Sequence, residues 1–432
     1  MWKIYLKQAW AMLRQNRLFS SIYVVGTGLS IALTMTVFII FYVKTAPIYP
    51  EYNRDRTVVL KYLKAHPADK PEDNWRAGLL SSWVAQLLDS LPHLEDMAVT
   101  ESYPNSGNRV ALPGQKQAFQ VYPLYVNSSF WRVFSLHFVS GKPFTPAEYQ
   151  ARKHTVVISE SLSRRLFATA DGAGKTLLFK GNPYTVCGVV EDVSSATPDA
   201  VADVWMPLTL SDAAFYADRS FPLLGALNYY LTAPTSADRE TLKEEVRDAF
   251  RRYNVGKEWA YDLMGQPDDA ALSSFRTDPI SAPDTDSLFR TLLYIVLALL
   301  IIPAVNLSGM IASRMDKRLA ELGIRQAYGA TRSTLLSQVL WENLLLTLLG
   351  AVAGLLFCWV IVLTSGSWIL TLFDARVDTD LPVPFLTMEM LFNPWVFLCA
   401  FGLCLVLNVV SALLPAWWGL RHTIVQELYA KR

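Results

Sequence analysis

The sequence is poor in the residues from which metal and nucleophile chemistry is built. Four Cys and five His occur in 432 residues. Cys358, Cys399 and Cys404 fall inside apolar runs, so Cys187 stands alone in the polar part, which therefore forms no internal disulfide. His66, His93, His137, His154 and His422 show no metal-type spacing, and neither G-x-S-x-G nor H-E-x-x-H is present. Charge of one sign is missing too: formal net charge is +1, which gives no bulk attraction for nucleic acid. A cleavable leader is not expected, because the apolar run after Arg17 is too long for one and no A-x-A-like site follows it.

What is present is apolar surface in long runs. Hydrophobic residues make up 52% of the chain and charged ones 18%, a mixture that implies a few membrane spans beside a sizeable soluble domain. Residues 1–18 read as a cytoplasmic interfacial helix, with Trp2, Leu6, Trp10 and Leu13 near one face and Lys3, Lys7 and Arg14 on another. The same stretch also reads as the polar start of the first span. Residues 19–43 carry no charge over about 25 positions, enough to cross a bilayer. Gly26, Thr27, Gly28 and Ser30 give that span a small-residue face for close helix packing.

Between 44 and 287 no span-length run occurs; strands and helices alternate instead. Thr57–Leu63, Asp96–Glu101 and Leu227–Thr232 read as strands, and 79–91 as a helix. A second helix is expected after a cap at Thr235 or Ser236, with Leu242, Val246 and Phe250 on one face. The stretch between is strand-rich: Gln117–Val126, Thr155–Ser159, Thr176–Phe179, Tyr184–Val190 and Asp203–Met206. Tyr122, Tyr125, Phe130, Trp131 and Phe134 are read as core. The expectation is a large two-lobed α+β extracytoplasmic domain. One lobe is formed from about 45–101 and 226–287, and a β-rich lobe, about 102–225, is inserted in it.

Three further runs, 288–310, 340–363 and 394–414, complete a four-helix membrane reading. Pro303 would kink the first of these, and Asn306 needs a partner on a neighbouring helix. Residues 364–393 carry Asp374, Asp378, Asp380 and Glu389 against Arg376 alone, so this loop faces outward. The basic N-terminal stretch, the segment 311–339 and the tail 415–432 then share the cytoplasmic side.

The segment 311–339 is more than a basic bridge. Over Arg314–Glu342, which takes in the start of the next run, Arg314, Lys317, Arg318, Arg325 and Arg332 stand against Asp316, Glu321 and Glu342 in a stretch rich in helix formers. Glu321 and Arg325 are spaced for an i,i+4 pair. Gly323 and Gly329-Ala330 permit sharp turns, and Thr331 suits a cap for the following helix. A short transverse helix exposing Ile324, Ala327 and Tyr328 follows. Glu342, beside Trp341 and Asn343, is costly at a membrane edge unless it pairs with a cation, reaches water or relays protons.

The pattern resembles the permeases of MacB/FtsX-type ABC transporters, of the type VII, mechanotransmission kind. The family's Arg-x-x-Glu-hydrophobic-Gly-Ile-x-Arg-Ala-x-Gly-Ala motif resembles the stretch holding Arg318, Glu321, Gly323, Ile324, Arg325, Ala327, Gly329 and Ala330, in which Arg325 stands one place before the motif's second Arg and Gln326 in its place, with Glu342 following and Asn306 preceding. Weaker similarity runs through Val126-Asn127, Phe130-Trp131, Gly141 to Phe144, Val156–Ser159, Gly174–Thr176, Gly181–Val189 and Pro415-Ala416. A fused ATPase is typical of full-length MacB-type proteins, but Gly172-Ala-Gly174-Lys175-Thr176 is no phosphate loop: Thr169 stands where the first Gly is required.

The resemblance implies that Arg318 to Ala330, with Arg332, couples to a separate cytoplasmic ABC ATPase, which would bind ATP and Mg. No cofactor is expected in this chain. Further implied partners are a second permease chain, as homodimer or related heterodimer, the membrane, and a periplasmic adaptor with an outer-membrane channel. The implied setting is the bacterial inner membrane, multi-pass with both termini cytoplasmic. The implied role is export of a peptide, toxin, antibiotic or lipoprotein. The alternative is an FtsX-like regulator that activates an extracytoplasmic hydrolase.

Overall fold

The computed structural model describes residues 17–73, 75–101, 108–212, 216–276, 278–301, 324, 328–329, 331–365, 385, 387, 390 and 393–419. They fall into two units. One comprises Val43–Thr285 with Leu370–Thr387; the other comprises Met1–Tyr42, Asp286–Ile369 and Met388–Arg432.

The first unit is built on strand Leu227–Thr232. Strand Thr57–Leu60 pairs antiparallel with it on one side, setting Val58 opposite Leu231 and Leu60 opposite Tyr229. Strand Asp96–Glu101 pairs antiparallel on the other, setting Val99 opposite Tyr229 and Met97 opposite Leu231. Alternate residues leave a strand on opposite faces. One face therefore presents Val58, Leu60, Tyr229 and Leu231 to Leu242, Val246, Ala249 and Phe250 of helix Arg239–Asn254 and to Val84 and Leu88 of helix Trp83–Leu88. The opposite face presents Val59, Ala98 and Tyr230 to Phe130, Phe134 and Trp205. Both faces are covered, which is why these strands read as continuous apolar runs.

The sheet continues through Val126, which sits opposite Thr100, into strand Pro123–Val126. That strand runs parallel to Val204–Pro207, which is antiparallel to Thr155–Ser159, itself parallel to Asn182–Val190. Helix Glu160–Phe167 connects the last two strands, with the Ser159 hydroxyl accepting from the Leu162 amide at its start. Strand Thr176–Phe179 forms a hairpin with Asn182–Val190; Lys180 and Gly181 make the turn at φ 49° and 82°. Val156, Ile158, Leu162, Leu166, Leu177 and Val186 form a third core around it. Tyr122, Tyr125 and Trp131 pack against these cores, as core readings of the aromatics require.

Several boundaries differ from the sequence reading, each for a local reason. The expected strand Thr57–Leu63 breaks after Leu60, and a new strand runs Leu63–Pro67. At the break the Gln266 side chain accepts from the Lys61 amide at 2.8 Å and donates to the Tyr62 carbonyl at 2.7 Å, replacing the ladder. Leu79 and Leu80 belong to strand Arg76–Leu80, not to the expected helix over 79–91, which spans only Trp83–Leu88. Ser81 separates the two: its amide donates to Leu223 O at 2.9 Å and its hydroxyl to Pro222 O at 2.5 Å. The expected strand Gln117–Val126 is two strands, Ala118–Gln120 and Pro123–Val126, because the Tyr122 amide turns to the Asp203 carboxylate at 2.9 Å. Helix Arg239–Asn254 starts at Asp238; Thr235 instead closes the turn before it, accepting from the Asp238 amide at 3.3 Å.

The second unit contains most of helix Arg17–Thr45, together with Arg332–Ser365, Pro394–Gly419 and a further helix over 285–301. Ser20–Thr45 and Asn343–Ser365 are long and apolar enough to cross a membrane; Pro394–Gly419 holds a shorter apolar stretch, Phe397–Val406. The helix of the third run begins at Arg332, eight residues before the apolar run expected over 340–363. Two of the long helices meet at glycines. A Cβ on Gly28 would stand 3.1 Å from the Gly350 carbonyl oxygen, and one on Gly354 would stand 2.9 Å from the Gly28 carbonyl oxygen. Only bare backbone permits that approach. Ser30 donates to Leu299 O at 2.6 Å, and Thr36 Oγ1 lies 3.6 Å from Cys358 Sγ. The small-residue face thus divides: Thr27, Gly28 and Ser30 turn inward, while Gly26 has open space around it.

Gly354→Leu is expected to lower stability by about 1–3 kcal/mol through overpacking. Gly26→Leu should leave it within about 0.5 kcal/mol. Thermal unfolding of the detergent-purified chain distinguishes the two. In the first unit, Lys153 and the Thr145 amide hold the Glu148 carboxyl down, from 4.5 to about 2. A depressed acid stabilises the fold above its unfolded value. That contribution is lost as pH falls from 4.5 through about 2. Denaturant midpoints of wild type and Glu148→Gln should accordingly converge over this interval.

Candidate functional site

The described part of the basic bridge shows a turn leading into a long helix. Ile324 is helical, and the Tyr328 amide donates to its carbonyl at 3.1 Å, closing one helical turn. Gly329 follows at φ 93°, a region that side chains disfavour. Thr331 then accepts from the Thr334 amide at 3.3 Å, while its carbonyl receives the Leu335 amide at 3.2 Å. The Thr331 hydroxyl thus satisfies one of the four orphan donors of the helix start, the Thr334 amide, and the Leu335 amide makes the first regular bond of the helix. Ile324 is 59% exposed and Tyr328 90%, unusually open for large apolar side chains.

Arg332 opens the helix and Glu342 lies on it, within its first three turns. Asn306, Arg318, Glu321, Gly323, Arg325, Ala327 and Ala330 lie outside the described residues, as do Pro303 and residues 2–16.

The structure brings together a second group that sequence reasoning passed over. Arg54 is 4% exposed and gathers four acceptor contacts. It donates to Glu51 at 2.8 Å through Nε and 2.7 Å through a terminal nitrogen, and to the Val43 and Ala46 carbonyls at 2.9 and 2.8 Å. Val43 lies in the last turn of helix Arg17–Thr45, where acceptors have no intrahelical partner, and Ala46 directly follows the helix. Burial pushes the Glu51 carboxyl up, and Arg54 opposes it. Lys61 pairs with Asp199 at 2.7 Å, and the Tyr230 hydroxyl also bonds Asp199. Burial works against the Lys61 ammonium, yet the neighbouring Asp199 charge leaves its pKa raised.

An equivalent clamp sits where the chain leaves the unit. Arg276 grips Asp268 through two bonds, 2.6 and 2.8 Å, and donates to the Ser281 carbonyl at 2.5 Å. A single Lys in the apolar stretch Thr57–Leu63 was the visible signal for the first cluster. Asp199 and Arg276 carried none.

The Gly172–Thr176 stretch is built differently from a phosphate loop. Its Gly174 amide donates to Val186 O at 2.8 Å and the Lys175 amide to Gly172 O at 3.2 Å, and Thr176 opens a strand instead of a helix. Among the described residues no group of three or more His, Cys, Asp or Glu is arranged to hold a metal.

Residues 20–249 match the family model of the MacB-like periplasmic core domain, and residues 292–424 that of the FtsX-like permease C-terminal region. The ABC transporter permease YknZ of Bacillus subtilis is 23% identical over 232 residues, 53% of this chain and 54% of that protein. The macrolide export ATP-binding/permease protein MacB of Hahella chejuensis is 25% identical over 358 residues, 81% of this chain and 51% of that protein. The chain spans about half the length of these curated relatives. The solved extracellular domain of a YknZ transporter from Gram-positive bacteria is 14% identical, at a TM-score of 0.34, over 47% of this chain and 99% of that one. Since the periplasmic core model alone takes in more than half of the sequence and the permease model takes in most of the rest, the chain belongs to the MacB/FtsX-type family of ABC transporter permeases.

Proposed function

We propose that this chain is a permease subunit that converts ATP hydrolysis on a separate cytoplasmic ABC ATPase into movements of its extracytoplasmic domain, for export of a peptide, toxin, antibiotic or lipoprotein. The observation that carries this reading is the exposed Ile324–Tyr328 turn at the foot of helix Arg332–Ser365. An apolar knob on a Gly turn, in a basic segment, suits docking into a groove of a partner. Rigid helix then carries displacement away from it.

The chain would sit in the bacterial inner membrane with four spans and both termini cytoplasmic, since each cation-rich segment then lies on one side. ATP and Mg would be bound by the partner. Two permease chains, alike or related, would match the two halves of an ATPase dimer. A periplasmic adaptor and an outer-membrane channel would complete an efflux route. Few charges occur in the apolar runs, which supports moving a substrate already outside the cytoplasm over passing it through a polar pore.

Tyr328→Asp places a charge on the docking knob, and Gly329→Pro demands a φ near −65° where 93° is required. Each variant should insert in the membrane normally, yet lose co-purification of the cognate ATPase by more than about tenfold. Retention of the ATPase at wild-type level by both would refute the coupling role.

A further inference from the structure

Within the first unit, a side chain of the loop at 191–203 meets the segment Leu370–Thr387, which lies in sequence between helices Arg332–Ser365 and Pro394–Gly419. Ser194 is buried, and its hydroxyl donates to the Phe385 carbonyl at 2.5 Å while accepting from the Phe385 amide at 3.2 Å. One serine thus satisfies both backbone groups of a residue 191 positions away. Because one side chain fills both backbone groups of Phe385, removing its hydroxyl leaves a donor and an acceptor to find other partners.

The loop that carries Ser194 is itself held at several places. Asp192 accepts from the Ser161 amide at 3.1 Å. Thr197, fully buried, donates to the Ser194 carbonyl at 2.9 Å, and Ala196 donates to the Ser194 hydroxyl at 3.2 Å. The Trp205 indole donates to Ala200 O at 3.1 Å. Between these anchors Asp199 reaches Lys61 at 2.7 Å, the residue directly after strand Thr57–Leu60. Seven residues before Lys61, Arg54 holds the Val43 and Ala46 carbonyls. Polar contacts therefore run without a long gap from the Phe385 segment, through 191–203, to the end of the first helix.

We propose that loop 191–203 is a strut. In it Ser194 and Asp199 are positioning residues that tie the segment between the third and fourth helices to the strand following the first helix. Resting on the coupling reading above, it gives the cytoplasmic stroke a second line into the extracytoplasmic domain, beside the direct connection through residues 278–301. A loop serving only to cover the core would need Val193, Ala200 and Val201, which are buried there. It would have no use for a serine that completes the backbone of a distant segment, nor for a half-buried ion pair with Lys61.

The test is amide hydrogen exchange on the full chain with its ATPase in nanodiscs, with and without ATP and vanadate. In wild type, trapping should alter exchange at Tyr328, at Phe385 and across 191–203. Ser194→Ala should raise basal exchange at the Phe385 amide by about tenfold. The Tyr328 response should persist in that variant and the 191–203 response should vanish. Ser194→Thr, which keeps the hydroxyl, should restore the protection of the Phe385 amide and the 191–203 response. If Ser194→Ala keeps the nucleotide response at 191–203 while Tyr328 still responds, the strut is wrong and the coupling reading stands. If trapping leaves Tyr328 unchanged in wild type, the coupling reading fails and the strut fails with it.

Discussion

Strand Leu227–Thr232 is apolar on both of its faces, and everything else in the first unit answers to that. Its Tyr229 and Leu231 need one cover, supplied by helix Arg239–Asn254. Tyr230 needs another, supplied by Phe134, whose ring meets it edge-on at 5.1 Å, and by Trp205. Phe134 and Trp205 come from the long stretch between Glu101 and Leu224. That stretch is therefore no appendage: without it one face of the central sheet would be open to water. The shared sheet at Thr100 and Val126 makes the same point through the backbone.

Where the chain enters and leaves this unit, charge is buried rather than apolar surface. Arg54 with Glu51, and Arg276 with Asp268, each form a nearly inaccessible pair that also collects backbone carbonyls. Buried pairs add little net stability, because desolvation offsets attraction. What they enforce is geometry, since a guanidinium fork satisfied by several fixed acceptors tolerates one path of the chain. A greasy contact at the same place would leave the chain free to slide. The Gly28, Gly350 and Gly354 contact serves a parallel purpose in the second unit, where backbone proximity replaces side-chain bulk.

In the described part of the candidate site, the turn and the cap were legible because their signals are local. Gly329 takes a positive φ and Thr331 caps the helix that follows, as expected of a Gly in a sharp turn and a Thr ahead of helix formers. Apolar runs and helix faces were legible for the same reason: Leu242, Val246 and Phe250 do face the core. The failures share a cause as well. Leu79 and Leu80 look helical by neighbours and are strand by partners, because Gly225 and Leu224 arrive opposite them from far along the chain. Lys61 looks like a strand residue and marks a break, because Gln266 arrives from 205 positions away.

The sequence alone determined the long apolar runs, the family motif and the alternating strand and helix pattern of the part between the first two runs. Each depends on spacing within a few residues, where helix and strand periods act directly. Tertiary structure decided the long-range partners: Asp199 for Lys61, Phe385 for Ser194, Gly350 for Gly28. These pairs are joined by backbone approach and by lone buried polar atoms. Neither leaves a periodic trace, since a buried serine or glycine looks the same in sequence whether its partner is the next turn or a segment from the other end of the chain.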